Sequence, residues 1–356
     1  MADNQVIEIV YTVNPGIEDV AADEVRAEFG GVVKYEVMSG HVYQSTVEFR
    51  SESLYRLKSI NKAFKLIWRT RIGRRLEDLI VFRDNLLSAL KNMDIEEYIT
   101  PHTTFAVDTE RLGSHCFTSM DISRVVGSVI QKVVEERTGK KPPVDLRKPS
   151  VIVHVFVRES EALLGISLTS SVSMHRRGYR IYDHPAALKP TLAYAMLAIA
   201  NTRDGEVIVD PMCGGGTIPI EAGLFHEDAE IYGLDISRKY VELSRRNAYA
   251  AGVYGLVKFM QWDARKLHEV SLPSIDHIIS NPPYGIRYGD PWAVRRLYRE
   301  FLESAYKILA SGGKLTIITT EYSYVNRIAE KIGYIKVHER VVQHGGIYPH
   351  IVVLSR

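Results

Sequence analysis

This chain of 356 residues has only two cysteines, no long apolar run and no large excess of one charge. The two cysteines, Cys116 and Cys213, are far apart, and neither belongs to a CxxC or HxxxH pattern. We therefore expect neither a disulfide framework nor a zinc or other metal site. The longest apolar stretch, 191–200, is about half of a membrane span, and the first residues do not resemble a signal peptide. These absences predict a cytoplasmic protein in a reducing compartment, with no membrane segment.

The formal net charge is only +2, so no global electrostatic field argues for a nucleic-acid partner. Local clusters of basic residues would have to make such contacts. Apolar residues at 46% and charged residues at 25% are typical of a globular protein, and the length suggests two or three domains.

The first part of the chain predicts two small α+β modules. For residues 1–64, the pattern predicts a ferredoxin-like module with strands at 5–13, 32–38 and 41–49 and helices at 16–29 and 52–59. For residues 65–170, it predicts strands at 65–72, 104–108, 151–157 and 162–168 and helices at 76–91 and 120–138. Residues 171–184 are interpreted as a linker.

From residue 185 to residue 356 the pattern changes to alternating strands and helices. The predicted strands are 206–210, 230–235, 257–261, 275–280 and 314–319, with helices at 218–226, 237–251 and 291–309. This alternation predicts a doubly wound, mostly parallel sheet of Rossmann-like type. Two further strands, 335–341 and 347–354, would end it in an antiparallel hairpin. Such a hairpin is typical of a large methyltransferase architecture and less typical of dehydrogenases.

A glycine-rich loop follows the first strand of this sheet. Asp210 ends the strand, and Gly214, Gly215 and Gly216 then open a helix, as expected for a nucleotide site. The third glycine of a dinucleotide fingerprint is missing, which disfavours a pyrophosphate. A carboxylate at Asp210 would suit the ammonium side of S-adenosylmethionine. The other predicted cofactor contacts in the loop are Met212, Cys213 and Thr217. A simple glycine-rich turn is the alternative.

Asp235 ends the next predicted strand, and Asp263 lies two residues after the end of the strand that follows. Asp235 occupies the position from which a carboxylate takes ribose hydroxyls. Asp263 could accept a hydrogen bond from the adenine amino group. Each alone could be a cap or a turn residue, but together with their neighbours Ile236 and Ala264 they predict an S-adenosylmethionine site.

The fourth strand leads into Asn281, Pro282, Pro283 and Tyr284. Proline fixes φ and lacks an N–H, so this loop is rigid and extended. The Asn281 side-chain oxygen and the Pro282 carbonyl can accept both N–H groups of a flat amine, while Tyr284 stacks on its ring. Adenine N6, cytosine N4, guanine N2 and glutamine amides all fit this pattern. No general base is evident, so water would take the proton.

Basic residues interleaved with aromatics predict an RNA surface in three places. The target base would have to be flipped out of its helix. The predicted contacts are Arg69, Arg71, Arg74 and Arg75 in the first cluster, His175, Arg176, Arg177, Tyr179 and Arg180 in the second, and Arg295 and Arg296 in the third.

Four segments, HRRGYR, LKPTLAYAML, DPMCGGGTIPIEA and NPPYG, give the chain a family resemblance. It resembles the THUMP-containing, S-adenosylmethionine-dependent RNA guanine-N2 methyltransferases over nearly its full length. The resemblance implies a THUMP module at 65–170 and tRNA as partner. It also places Lys189, Pro190 and Thr191 near the methionine moiety. A monomer is expected.

The last two segments are most similar to those of the enzymes that methylate position six of the tRNA acceptor stem. Relatives that act on position ten usually have DPFCGTGG, with an aspartate before PPY. Position ten and ribosomal RNA remain alternatives. So do a DNA or protein amine methyltransferase and a non-catalytic RNA-binding protein, which the THUMP module and the intact loops respectively disfavour.

Overall fold

The computed structural model describes residues 6–169, 172–182, 187–285 and 291–356. Gln5, where the first strand was predicted to begin, lies outside these residues, as do the predicted boundaries at 170/171 and 184/185.

One mixed sheet unites the first two predicted modules. Its seven strands run in the order β2-β3-β1-β4-β7-β6-β5, with only β5 and β6 parallel. The strands are β1 (Ile7–Val13), β2 (Val32–Tyr35), β3 (His41–Thr46), β4 (Ile60–Arg71), β5 (Phe105–Leu112), β6 (Val151–Arg158) and β7 (Glu161–Ser167). The helices are α1 (Glu18–Phe29), α2 (Asp78–Lys91) and α3 (Ser119–Thr138).

Strand β4 joins the two modules because it pairs with β1 on one side and with β7 on the other. The predicted helix at 52–59 is instead a 3-10 segment, Ser51–Arg56, that ends early enough for the strand to begin at Ile60. The predicted division between residues 64 and 65 therefore falls inside a continuous strand. We propose this division only as one between two modules in the sequence, because the sheet itself is continuous there.

The second sheet has the predicted doubly wound architecture. Its order is β10-β9-β8-β11-β12-β14-β13, and β8 to β12 are parallel while β14 is antiparallel to both of its neighbours. The strands are β8 (Val207–Asp210), β9 (Glu230–Asp235), β10 (Val257–Gln261), β11 (Ile275–Ser280), β12 (Leu309–Thr319), β13 (Ile335–Val341) and β14 (His350–Ser355). The prediction of a seven-stranded, mostly parallel sheet with a terminal antiparallel hairpin is confirmed.

Five helices cover this sheet within the described residues: α4 (Pro190–Ala200), α5 (Thr217–Phe225), α6 (Arg238–Ala250), α7 (Pro291–Ile308) and α8 (Tyr322–Ile332). The apolar stretch that ends at residue 200 forms α4, which begins with proline at its first position and packs against α1 and α5. None of the helices in the described ranges is long and apolar enough to cross a bilayer.

The N-terminal part of the chain contacts the part that carries the second sheet through helices and loops at their junction. The Arg340 guanidinium donates to both Asp19 carboxylate oxygens at 2.6 and 2.8 Å. The Thr191 hydroxyl donates to Asn14 Oδ1 at 3.0 Å, and Asn14 Nδ2 donates to the Gln343 carbonyl at 3.2 Å. These buried and half-buried contacts hold the two parts of the chain in one relative position.

A buried ion pair closes the same junction and uses two residues predicted to contact RNA. Arg177 donates to the Glu221 carboxylate at 3.3 and 3.4 Å and to the Lys58 carbonyl at 2.8 Å. The Tyr179 hydroxyl donates to Glu221 at 2.8 Å. Arg177 and Tyr179 therefore hold internal hydrogen bonds, and their predicted place on the RNA surface is corrected. The neighbouring Arg176 is exposed.

Arg177→Ala should destabilise the protein by about 3 kcal/mol, because it leaves the Glu221 carboxylate buried without its cation. The matched control, Arg176→Ala, should change the free energy of unfolding by less than about 0.5 kcal/mol. Urea unfolding of both variants measures the difference. Equal stability of the two would mean that the Arg177–Glu221 pair does not support the junction.

Candidate active site

The two loops predicted to hold the methyl donor and the acceptor leave the same edge of the second sheet. Strands β8 and β11 are neighbouring parallel strands, with His277 opposite Ile208 and Ile278 opposite Val209. Carboxyl ends of parallel strands meet at one edge of a sheet, where ligands bind in such folds. The glycine-rich loop and the Asn281–Tyr284 loop are therefore adjacent.

A hydrogen bond ties these two loops together. The Ser280 hydroxyl, just before Asn281, donates to Asp210 Oδ1 at 2.7 Å, and the Met212 N–H donates to the same oxygen at 3.1 Å. Both Ser280 and Asp210 are buried. Asp210 was predicted to face the ammonium side of the cofactor. The structure shows it as a buried support under both loops, and burial raises the pKa of its carboxyl to about 7.

Asp235 shapes the glycine-rich loop from the neighbouring strand. Its Oδ2 accepts the Gly214 N–H at 2.9 Å, and its Oδ1 accepts the Ser237 N–H at 2.8 Å. Gly214 and Gly216 both have positive φ, +52° and +82°, which only glycine adopts without strain. At Gly216 a Cβ atom would also lie 2.8 Å from the Ser244 side chain. The loop therefore depends on both glycines and on one carboxylate.

An exposed aliphatic side chain lies beside Asp235. Ile236 is 60% exposed directly after that strand, where a ligand in the site would cover it. The Trp262 N–H donates to the Asp235 carbonyl at 3.0 Å, which brings the end of β10 next to it. An exposed aliphatic side chain beside a carboxylate matches the apolar ring and the hydroxyls of an adenosine. The residues present thus fit S-adenosylmethionine.

Asp263 and Ala264 follow β10 at the same edge. The Arg265 guanidinium donates to both Asp263 oxygens, at 2.6 and 3.0 Å, and lowers the pKa of that carboxyl. Ala264 is buried. The predicted hydrogen bond from the adenine amino group to Asp263 would thus have to share a carboxylate that Arg265 already holds.

The residues predicted near the methionine moiety separate in the structure. Thr191 is fully buried and bonded to Asn14, so its hydroxyl faces the N-terminal sheet. Lys189 lines a cleft of about 210 Å³ together with His175 and Glu110. Pro190 begins α4 and is buried. A different residue reaches the glycine-rich loop, since Arg180 donates to the Thr217 hydroxyl at 2.9 Å.

The reacting loop is partly covered. Pro282 is buried, Pro283 is exposed, and Asn281 and Tyr284 are half-buried. The Tyr284 hydroxyl is buried with no hydrogen-bond partner in the part of the chain that the structure describes, and burial raises the pKa of this phenol.

Several of the predicted RNA-binding side chains pair with acidic neighbours. Arg296 lies 2.7 Å from Glu300, Arg295 lies 3.0 Å from Glu321, Arg69 lies 3.5 Å from Glu161, and Arg74 also pairs with Glu159. Within the described ranges no carboxylate pairs with the exposed Arg71, Arg75 or Arg176. Burial and nearby cations lower the pKa of His175 to about 4, so this side chain is neutral at physiological pH.

Ser280 and Arg180 contribute to the site, although the sequence patterns predicted neither of these two contacts. Ser280 ends an apolar strand, where a small polar residue usually escapes notice. Arg180 belongs to a basic run that was interpreted as RNA-binding. Neither has a local signal for its partner, since the hydrogen bonds join residues that are 70 and 37 positions apart.

Known proteins resemble this chain over both parts. Residues 177–350 match the model of the RMKL-like methyltransferase domain, and residues 83–167 match the THUMP domain. The chain is 32% identical to a tRNA (guanine(6)-N2)-methyltransferase of Archaeoglobus fulgidus, covering 98% of this chain and 92% of that protein. It is also 32% identical to a protein of the same name from Methanocaldococcus jannaschii, over 97% of this chain and 98% of that protein. The crystal structure of TrmN from Thermus thermophilus superposes with a TM-score of 0.80 at 30% identity, covering 98% and 99% of the two chains.

Asp210→Asn should stabilise the protein above about pH 7 and have little effect near pH 4. The native state holds a proton on Asp210 between the ordinary carboxyl pKa of 3.8 and about 7, so the wild type loses stability as pH rises through this interval. An asparagine oxygen accepts the same two hydrogen bonds without the buried charge. Urea unfolding at several pH values measures the effect.

Asp263→Asn is the control, because the pKa of Asp263 is shifted in the opposite direction from that of Asp210. Arg265 lowers the pKa of Asp263, so this carboxylate stabilises the fold above the ordinary pKa and stops doing so as pH falls. Its asparagine variant should be less stable than the wild type at neutral pH. A stability difference for Asp210→Asn that is the same at every pH would show that Asp210 is not held neutral.

Proposed function

Because this chain belongs to the THUMP-containing, S-adenosylmethionine-dependent tRNA guanine-N2 methyltransferases, we propose that it methylates the N2 atom of guanosine at position 6 of tRNA. The proposed reaction is supported by two loops that leave one edge of one sheet, one suited to a sulfonium cofactor and one to a flat amine, joined by the Ser280–Asp210 hydrogen bond of 2.7 Å. Position 6 is supported by the likeness to the tRNA (guanine(6)-N2)-methyltransferases. We expect the enzyme to act as a monomer in the cytoplasm, without a metal ion.

The cofactor side of the site consists of the glycine-rich loop and the two strands beside it. Asp235 is placed to accept ribose hydroxyls, since each of its oxygens holds only one backbone N–H. Ile236 offers its exposed side chain to the adenine ring. S-adenosylmethionine supplies the methyl group, whose bond to sulfur breaks as the bond to N2 forms, and S-adenosylhomocysteine is released.

The acceptor side orients the guanine amine. The lone pair of N2 is delocalised into the ring, so this nitrogen is a poor nucleophile. Asn281 Oδ1 and the Pro282 carbonyl would accept its two N–H groups and favour a pyramidal nitrogen, with the lone pair directed at the methyl group. Tyr284 stacks on the base and stabilises the positive charge that develops. Positioning supplies much of the rate, and the proton leaves to water after transfer.

The RNA would contact both parts of the protein. Exposed Arg71 and Arg75 lie at and after the end of β4, and exposed Arg176 lies near the junction with the second sheet. Phosphate neutralisation by such side chains provides most of the affinity for RNA. The paired target base has to leave its helix before N2 can reach the loop. The fixed junction between the sheets keeps the distance between these contacts and the reacting loop constant.

An unmodified tRNA transcript incubated with the protein and S-adenosylmethionine should gain one methyl group at guanosine 6, as N2-methylguanosine. Nuclease digestion and mass mapping of the fragments locate it. A transcript with adenosine at that position, and a compensating change in its pair, should gain none. Methylation of guanosine 10 instead would contradict the proposed position, and absence of N2-methylguanosine would contradict the proposed reaction.

Asn281→Ala should lower kcat by about two orders of magnitude, since it removes an acceptor whose hydrogen bond strengthens as positive charge develops on the amine. Binding of S-adenosylhomocysteine, measured as thermal protection, should stay within about twofold of the wild type. Tyr284→Phe is the control because it keeps the ring and loses only a hydroxyl without a partner among the described residues. It should keep most of the activity. Full turnover by Asn281→Ala would refute this role for the loop.

A further inference from the structure

The order of strands in the second sheet determines where the rest of the RNA can lie. The cofactor loops follow β9 and β8, and the reacting loop follows β11. The next parallel strand on the far side is β12, which ends at Thr319. The side of the reacting loop that faces away from the cofactor loops is therefore bounded by the end of β12. Helix α8 begins at Tyr322, directly after this strand, so it starts at the same edge of the sheet. The start of α7 packs on the reacting loop, since a Cβ atom at Gly285 would lie 3.0 Å from Val294 Cγ2.

Tyr324, in the first turn of α8, lies between two guanidinium groups. The Arg295 guanidinium carbon lies 5.4 Å from the centre of the Tyr324 ring, and that of Arg327 lies 5.6 Å from it. The Tyr324 hydroxyl donates to the Arg295 carbonyl at 3.0 Å, which fixes the ring against α7. A guanidinium held against an aromatic ring has lost much of its side-chain freedom before any ligand arrives.

A second aromatic stack extends from the first turn of α8 over β14 and β13. The rings of Tyr322 and His350 are nearly parallel, with an angle of 11° and centres 4.4 Å apart, and Lys336 Nζ lies 5.4 Å from the Tyr322 ring centre. Glu339 accepts from the Tyr322 hydroxyl at 2.5 Å and from Lys336 at 2.8 Å. We call the two stacks together the aromatic–cation shelf: Arg295, Tyr322, Tyr324, Arg327, Lys336 and His350.

The charges of the shelf single out Arg327. Arg295 pairs with Glu321 at 3.0 Å, and Lys336 pairs with Glu339. Arg327 is exposed, and within the described ranges no carboxylate lies close enough to pair with it. An uncompensated guanidinium, oriented by an aromatic ring and exposed on a helix that starts at the edge of the sheet where the reacting loop leaves, suits a phosphate oxygen.

We propose that the aromatic–cation shelf binds the RNA strand next to the flipped guanosine, with Arg327 on a backbone phosphate. The inference rests on the proposed function, because it takes the reacting loop as the place where the target base sits. An acidic protein segment could also bind a guanidinium. RNA is favoured because the shelf adjoins the loop that would hold the base. The sequence predicted one member of the shelf, Arg295, as an RNA contact. The other members come from α8, β13 and β14, which only the folded chain brings together.

The test compares the salt dependence of tRNA binding in Arg327→Ala and in a matched control. Filter binding of tRNA over a range of salt gives the slope of log K against log salt. Arg327→Ala should weaken binding severalfold and reduce this slope by about 0.7 to 0.9, the loss of one phosphate contact. The KM for tRNA should rise in parallel, while kcat and thermal protection by S-adenosylhomocysteine stay unchanged. Arg327→Lys should keep the slope of the wild type.

Lys307→Ala is the control, because Lys307 is an exposed cation in the last turn of α7, at the end of the helix far from the reacting loop. It should leave both affinity and slope unchanged. A wild-type slope for Arg327→Ala would overturn the inference, and so would an equal fall in both variants, which would indicate a general field only. Binding is measured without catalysis, so a wild type that binds tRNA and makes no N2-methylguanosine would count against the proposed function alone.

Discussion

The hydrogen bond from Ser280 to Asp210 is the contact on which the geometry of the site depends. Two neighbouring parallel strands place their loops at one edge, but strand pairing alone does not fix the loops relative to each other. Asp210 does so because one oxygen accepts from Ser280, at the start of the reacting loop, and from the Met212 N–H in the glycine-rich loop. A shift of either loop would break a hydrogen bond between buried groups, at a cost comparable to leaving a buried polar group unsatisfied.

Burial of Asp210 strengthens its dependence on these two hydrogen bonds and also disfavours its charged form. A carboxylate without a cation beside it is costly in the interior, and the raised pKa of Asp210 reflects that cost. A neutral carboxyl still accepts both hydrogen bonds, so the two loops stay joined in either protonation state. Asp235 complements this arrangement from the next strand, where it holds the Gly214 N–H and orients the same glycine-rich loop.

The N-terminal sheet adds a second constraint, which acts over a longer distance. Strand β4 makes the two predicted modules one sheet, and Asn14, Asp19 and Arg177 bond that sheet to the second one or to the linker before it. Gly16 belongs to this junction because a Cβ atom there would lie 2.2 Å from the Val341 carbonyl oxygen. Such close backbone contact leaves little room for one sheet to slide on the other. Any RNA that the N-terminal sheet bound would therefore meet the reacting loop from a fixed direction.

Patterns of period two and alternating strands and helices predicted the second sheet and the strands of the first, because these signals are local. They did not predict that β4 joins the first two modules into one sheet. The 3-10 segment at Ser51–Arg56 and helix α8 were not predicted, although Val325, Ile328, Ala329 and Ile332 have helical spacing.

The glycine-rich and Asn281–Tyr284 loops were evident from sequence for the same local reason. Partners far apart in the chain were not. Asp210, Asp235 and Asp263 look alike in sequence, each at or just after the end of a strand. Asp210 is buried and joins two loops through Ser280, and Asp235 orients the glycine-rich loop through the Gly214 N–H. The Asp263 carboxylate instead pairs with Arg265. Their chemistry follows from neighbours that only the folded chain brings together, so identical residues at equivalent positions carry out different tasks.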